Sequence, residues 1–149
     1  MNNHHLAQIN ISRLLEPIDS PLLSDFVAQL DEINSLAESS EGFVWRLKSD
    51  NNNATEIQVF DDSMIIVNMS VWENLESLRN FAFKTAHAAV MKNRNKWFEK
   101  MDSAYLALWW IPAGHIPTTD EAKERLEHIN LNGDTPFAFT FKNIYSPQS

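Results

Sequence analysis

The stretch MIIVNMSVW, residues 64–72, is the clearest strand in the sequence and decides the fold class. Its side chains fall into two alternating sets, as they do in a β-strand, where successive side chains point to opposite faces of the sheet. One set is Ile65, Val67, Met69 and Val71, and the other is Met64, Ile66, Asn68, Ser70 and Trp72. The pattern therefore predicts a strand in a sheet that has one apolar face and one mixed face.

The sequence on both sides of this strand predicts further strands and helices in alternation. The predicted strands are residues 6–13, 43–48, 105–111 and, more briefly, 56–60 and 137–141; the predicted helices are 21–39, 74–101 (weakest at 93–95) and 119–131. This order begins with the split βαβ unit of a ferredoxin-like α+β fold. We predict an antiparallel sheet with helices on one face, in a single domain over residues 1–149. Its core spans about 5–115, and a C-terminal helix and strand span about 118–142.

Polar side chains share the mixed face of two predicted strands. They are Gln8, Asn10 and Ser12 on the first strand and Asn68 and Ser70 on the quoted one. If the two strands are neighbours, these amides and hydroxyls cluster. They could then orient a carbonyl, phenol or quinone and stabilise a developing oxyanion. The alternative is a subunit interface or barrel interior with satisfied hydrogen bonds.

The mixed face also carries Leu6, Met64 and Ile66, which are too apolar to be left in water. A ferredoxin-like sheet has helices on one face only, so something else must cover this one. A second copy of the same chain is the simplest cover, and we expect a homodimer.

Composition excludes several classes of protein. The chain has 149 residues, with 12 Lys+Arg against 20 Asp+Glu and a formal net charge of −8. An acidic chain without a basic tract is a poor nucleic-acid binder, because neutralising phosphate supplies most of the non-specific affinity. The chain has no cysteine, which excludes thiol catalysis, and its three glycines are too few for a phosphate-binding loop. No spacing of His, Asp or Glu residues is typical of a dedicated metal site, so we expect no metal. No apolar stretch is long enough for a membrane span, so we expect a cytoplasmic protein without a membrane partner.

Several aromatic-rich motifs stand out along the chain. They are SVWE at 70–73, WF at 97–98 and LWWIPAGHIP at 108–117, with LAQIN at 6–10 and TPFAFTF at 135–141. These motifs resemble the domain of unknown function 3291 family over nearly the whole chain. That family is similar in topology to the dimeric α/β-barrel superfamily, which includes antibiotic-biosynthesis-type monooxygenases and haem-degrading monooxygenases. The resemblance implies a homodimeric α/β barrel and no particular activity, because a fold does not fix a function.

His87 is the most interesting titratable residue. It is predicted to lie in mid-helix, where an imidazole can move a proton near neutral pH, although a structural histidine is the simpler interpretation. Resemblance to the haem-degrading proteins implies an Asn on the first strand and a Trp and a His on the second long helix. Asn10 and His87 match, but Ser77 stands where the Trp would be. Haem oxidation is therefore disfavoured, while haem ligation by His87 stays open.

Aromatic and basic side chains supply candidate ligand-binding residues. Five tryptophans are many for this length and can line a pocket for a flat ligand, although core packing is the simpler role for most of them. A basic side chain can supply charge, and a histidine after the PAG turn at 112–114 can enter from a loop. The candidates are Trp45, Trp72, Trp97, Trp110, Arg46 or Arg94, and His115.

The leading hypothesis is a homodimer with an aromatic-lined pocket for a small, largely apolar ligand. If it is an enzyme, we expect a cofactor-independent monooxygenase-like or isomerase-like reaction, with His87 moving a proton while Asn10 and Asn68 hold the substrate oxygen. The alternatives are a non-catalytic ligand-binding or stress-response module, and haem binding through His87. No other cofactor is expected.

Overall fold

The computed structural model describes residues 3–48, 60, 62, 64–84, 94–101 and 103–147. The strands are β1 His4–Leu14, β2 Phe43–Arg46, β3 Ile65–Trp72, β4 Phe98–Glu99 and β5 Leu106–Pro112. The helices are α1 Ser24–Ser39, α2 Leu75–Lys84 and α3 Thr119–Asn132, with short 3-10 turns at Pro21–Leu23 and Arg94–Lys96.

The sheet is antiparallel, and β1 lies at its centre. β3 pairs with one edge of β1 from Leu6 to Arg13, and β2 adds to the outer edge of β3. On the other edge of β1, β5 pairs with His4–Asn10 and β4 with the last two residues. The order β2-β3-β1-β5 is that of a ferredoxin-like sheet, and the predicted α+β fold class is confirmed.

The central strands have two different faces, as their alternation predicts. The apolar face is the set Ala7, Ile9, Ile11, Val67, Met69 and Val71, and α3 packs on it through Ala122 and Leu126. The mixed face is the set Leu6, Gln8, Asn10, Ser12, Asn68, Ser70 and Trp72. The side chains of the apolar face are at most 4 % exposed, so a single chain buries this face.

The mixed face is covered by α1 and α2 of the same chain, which we call the helix pair. Ala37 of α1 and Phe81 of α2 pack with Leu6 and Trp72. The expectation that a second copy covers this face is therefore wrong, because the apolar sides of the two helices already lie on it. The homodimer itself stays a prediction, which a light-scattering mass would check.

Two local predictions are wrong, and a third falls outside the described residues. The helix predicted over 74–101 does not reach Met101, because Phe98 and Glu99 instead pair with the end of β1. The strand predicted over 137–141 is a turn closed by isolated bridges, of which one joins Phe139 to Leu108. Of the short strand predicted at 56–60, only Phe60 is described.

Gly42 allows the close approach of the turn after α1 to the start of α2. Its φ of 84° is left-handed, and a Cβ at this position would overlap Ser77 of α2. The Gly42 carbonyl also accepts a hydrogen bond from the Glu73 backbone N–H at 2.7 Å. The connection after α1 is thereby fixed against the start of α2, which places both helices on the mixed face.

Leu126→Ala is expected to lower the free energy of unfolding by about 2–5 kcal/mol, because Leu126 is 2 % exposed and lies between α3 and the apolar face. Leu131→Ala on the same helix is the matched control, since Leu131 is 83 % exposed and its loss should change stability by less than about 0.5 kcal/mol. Urea unfolding followed by tryptophan fluorescence measures both. Equally small losses would contradict the packing of α3 on that face.

Candidate functional site

A cavity of about 310 Å³ lies between the mixed face and the helix pair. An apolar cluster closes each end: Leu6 and Trp72 lie in one cluster, and Leu14 and Phe26 in the other. Between these ends the strands carry polar side chains, and the space above them is open. Because a cavity of about 150 Å³ can hold benzene, this one has room for roughly two rings.

The five polar side chains predicted to cluster form the floor of this cavity. Gln8, Asn10, Ser12, Asn68 and Ser70 all line it. Asn10 lies directly opposite Asn68, and Gln8 lies opposite Ser70. Of the two sequence-based interpretations, a pocket rather than a subunit interface fits this arrangement, because the helix pair of the same chain lies above the floor.

A directed chain of hydrogen bonds runs through the floor. The buried Trp72 indole donates from Nε1 to Ser70 Oγ at 2.8 Å. Gln8 Nε2 donates to the same Ser70 Oγ at 2.8 Å and to Asn68 Oδ1 at 2.7 Å. Since an indole N–H can only donate, the Ser70 oxygen must accept at this point. The chain therefore fixes the orientation of three floor side chains.

Arg46 brings a positive charge to the same floor. It lies opposite Ser70 in the β2–β3 register, lines the cavity and is 7 % exposed. Its Nη2 lies 3.7 Å from Glu38 Oε1 of α1, which is longer than a hydrogen bond. A second arginine, Arg94, also lines the cavity. Its guanidinium carbon Cζ lies 5.1 Å from the centre of the Tyr105 ring.

The walls of the cavity are largely apolar, and part of its rim faces solvent. Phe83 and Tyr105, which are 59 % and 38 % exposed, mark its opening. The apolar side chains of the lining come from both helices and from the strands: Phe26, Leu30, Ile33, Leu78, Phe81, Phe98, Ile66 and Leu106. An apolar body with one polar end would match such a lining.

The structure brings four of the predicted site residues together. Asn10, Asn68, Arg46 and Arg94 share the cavity. His87 lies outside the described residues. The remaining candidates, which are not among the lining residues, are Trp45, Trp72, Trp97, Trp110 and His115.

The four candidate tryptophans occupy packing positions around the sheet. Trp72 stacks on Phe81 with ring centres 5.2 Å apart, and Trp45 packs against the core of the apolar face. Trp97 is 4 % exposed beside Phe26. Trp110 donates from Nε1 to the Tyr145 carbonyl at 2.7 Å. Only Trp72 is linked to the cavity floor, through Ser70, and a ligand-binding role for the four stays a prediction.

His115 belongs to a different cluster at the start of α3. Its Nε2 lies 2.8 Å from Glu121 Oε1, and Glu121 Oε2 accepts a hydrogen bond from the Trp109 indole at 2.9 Å. Burial raises the pKa of Glu121, but the hydrogen bonds from His115 and Trp109 outweigh it and hold this pKa below its usual range. The pair anchors the loop after β5 to α3.

Sequence reasoning missed several lining residues on α1 and near β5. Gln29 and Asn34 line the cavity beside Ile33, and Tyr105 lines it just before β5. The available signal was the position of Gln29 and Asn34, which flank the apolar stripe of α1 and so lie at its boundary with solvent. Phe81 and Phe98 are buried and also form part of the wall.

The described residues offer neither a membrane span nor a cluster of metal ligands. No helix among them is both long and apolar enough to cross a membrane. They contain no group of three or more His, Cys, Asp or Glu side chains that could hold a metal ion. The expected cytoplasmic location and the expected lack of a metal site stay predictions.

Glu121→Gln is expected to destabilise the protein at neutral pH. A carboxyl with a lowered pKa in the folded state stabilises the fold above its unfolded pKa, and this stability is lost as pH falls through the folded pKa. The difference between the variant and the unchanged protein should therefore shrink below pH of about 4.3, the ordinary value for glutamate. Thermal unfolding at neutral and acidic pH measures it. A difference that is constant with pH would contradict a stabilising Glu121 carboxylate.

Similarity to one solved structure, with a TM-score of 0.50, supports the fold, and two weaker similarities are given beside it. PA3566 from Pseudomonas aeruginosa is 9 % identical, with 77 % of this chain and 99 % of that chain covered and a TM-score of 0.50. A Nitrosomonas europaea protein assigned as an antibiotic biosynthesis monooxygenase is 9 % identical over 79 % and 97 % of the two chains, with a TM-score of 0.49. The Streptomyces coelicolor monooxygenase from the gene ActVA-Orf6, in complex with nanaomycin D, is 11 % identical. The match covers 78 % of this chain and 95 % of that chain, with a TM-score of 0.39. At such identities the likeness concerns the fold alone.

Sequence comparison gives the family. No curated protein matches the chain. The family described as Domain of unknown function (DUF3291) matches residues 5–149, as the aromatic-rich motifs led us to expect. Because this match spans nearly the whole sequence, the chain belongs to the DUF3291 family.

Proposed function

We propose that this protein binds a small, largely apolar organic molecule in the cavity between the mixed face and the helix pair. The observation that carries the proposal is a cavity of about 310 Å³ with apolar walls above a polar floor. Natural ligand sites have this character, since apolar walls provide affinity and a few polar groups fix orientation.

Two side chains of the polar floor are not used by the fold itself. Asn10 and Ser12 line the cavity and are half-buried, and neither has a side-chain hydrogen bond to another described residue. Polar groups placed in this way in a pocket fix the orientation of a ligand. Apolar side chains at these positions would instead extend the clusters at the two ends of the cavity. A ligand with a polar end offers these groups a partner, which is the physical reason for retaining them.

Filling the cavity should abolish binding. Ser12→Phe places a ring in the cavity from β1, and aromatic side chains are favourable in strands. The probe is 2-naphthamide, a two-ring molecule with a neutral polar end, and titration calorimetry measures its affinity. We expect binding by the unchanged protein and at least about a tenfold loss in Ser12→Phe.

Ser103→Phe is the matched control, because Ser103 is exposed and is not a lining residue. It should bind the probe as the unchanged protein does. Equal affinity in Ser12→Phe and Ser103→Phe would contradict the proposed function, as would a failure of the unchanged protein to bind either 2-naphthamide or the corresponding acid, 2-naphthoate.

A reaction in the same cavity is the second candidate function. It is favoured by Asn10 and Asn68, whose directly opposed amides can donate hydrogen bonds to a developing oxyanion. A cofactor-independent monooxygenase-like or isomerase-like step would also need the proton carrier that we assign to His87. Haem ligation by His87 stays a prediction, because His87 lies outside the described residues.

The catalytic role is tested with whatever molecule copurifies and is identified by native mass spectrometry. If His87 carries the proton, His87→Ala should keep the affinity for that molecule and lower its turnover at least about a hundredfold. Unchanged turnover would remove the catalytic hypothesis and leave a binding module.

A further inference from the structure

The charges around the cavity are opposite in sign to those of the chain. The protein has a formal net charge of −8. Yet the ionisable side chains among the described lining residues are Arg46, Arg94 and Tyr105, and none of them is a carboxylate. Low-dielectric walls strengthen the field of such groups. An acidic protein that keeps carboxylates out of this described lining and places two arginines there favours a negatively charged ligand.

Arg46 is the stronger of these two positive groups. It is 7 % exposed, whereas Arg94 is only half-buried and lies over the Tyr105 ring near the opening. Desolvation makes a charge interact more strongly with an opposite charge. Glu38 Oε1 lies 3.7 Å from Arg46 Nη2, which is an ion pair without a hydrogen bond, and a guanidinium carries five N–H donors.

The hydrogen-bond chain of the floor leaves two donors, on Ser70 opposite Arg46 and on Asn68 of the same strand. Ser70 Oγ already accepts two hydrogen bonds, from Trp72 and Gln8, so its own hydrogen remains to be donated. Asn68 Oδ1 accepts from Gln8, so its Nδ2 group is the end that remains. Neither donor is matched by an acceptor in the part of the chain that the structure describes. A guanidinium, a hydroxyl and an amide N–H₂ on one floor form a site for oxygen anions.

We propose that the ligand is a monocarboxylic acid with an apolar body of about two rings. Its carboxylate pairs with Arg46 and accepts hydrogen bonds from Ser70 and Asn68, because the planar guanidinium fork matches the two carboxylate oxygens. Its rings lie against the apolar wall that includes Leu30 and Phe98. This inference rests on the proposed function and names the ligand class of the same cavity.

Two probes of the same shape test whether the cavity prefers a ligand with a negatively charged end. Titration calorimetry should show that 2-naphthoate binds at least about tenfold more tightly than neutral 2-naphthamide, because hydrogen bonds to charged groups are worth about 1.5–3 kcal/mol. Arg46→Gln should remove that preference. Arg79→Gln is the matched control, since Arg79 is exposed on α2 and does not line the cavity; it should keep the preference.

A pH series on the unchanged protein tests the inference even if Arg46→Gln does not fold. Affinity for naphthoate should fall as its own carboxyl becomes protonated, while affinity for naphthamide stays constant. Among the described ionisable groups around the carboxylate position, namely Arg46, Arg94, Tyr105 and Glu38, only Glu38 is a carboxylate. Protonating Glu38 removes a competing anion and would raise the affinity for naphthoate, so a fall reports the ligand.

The outcomes separate the inference from the function on which it rests. Equal affinity of the unchanged protein for naphthoate and naphthamide overturns the carboxylate inference and leaves the cavity function in place. Loss of the preference in Arg79→Gln as well as in Arg46→Gln also overturns it. If neither probe binds, the proposed function itself fails.

Discussion

The helix pair contacts the mixed face at its two ends, and the rest of the site depends on this contact. Leu6 and Trp72 pack with α2 at one end, and Leu14 packs with Phe26 of α1 at the other. Between these points the floor side chains are polar and short. Closing the helices onto them would bury amides without partners, which costs more than the added contact returns. Apolar ends and a polar middle therefore keep the helices away from the centre of the face.

Alternation in two strands was enough to predict the fold class and the floor. Gln8, Asn10 and Asn68 could be assigned to one face because a period of two leaves no other choice once the register is antiparallel. The same reasoning could not say which face the helices would cover. Both faces carry apolar residues, and the decision depends on how α1 and α2 pack, which is a tertiary property.

The tryptophans show a second limit of sequence reasoning. An indole is as useful for packing as for ligand contact, and the sequence offers no way to tell these roles apart. Trp72 packs on Phe81 and also donates a hydrogen bond to Ser70 of the cavity floor, so it affects the cavity without lining it. Arg46 and Arg94 were named as alternative sources of charge, and both line the cavity, but only the packed structure shows that Arg46 is the more buried of the two. The wall residues Gln29 and Asn34 depend on how α1 is rotated over the sheet, which its sequence period fixes only approximately.

Intermolecular nuclear Overhauser effects between the ring protons of bound 2-naphthamide and protein methyl groups test the open cavity most directly. We expect contacts to the methyl groups of Leu30, Ile33 and Ile66, which line the cavity between the helix pair and the mixed face. Contacts instead to Ile9 or Leu126, which lie on the opposite side of the sheet, would contradict it.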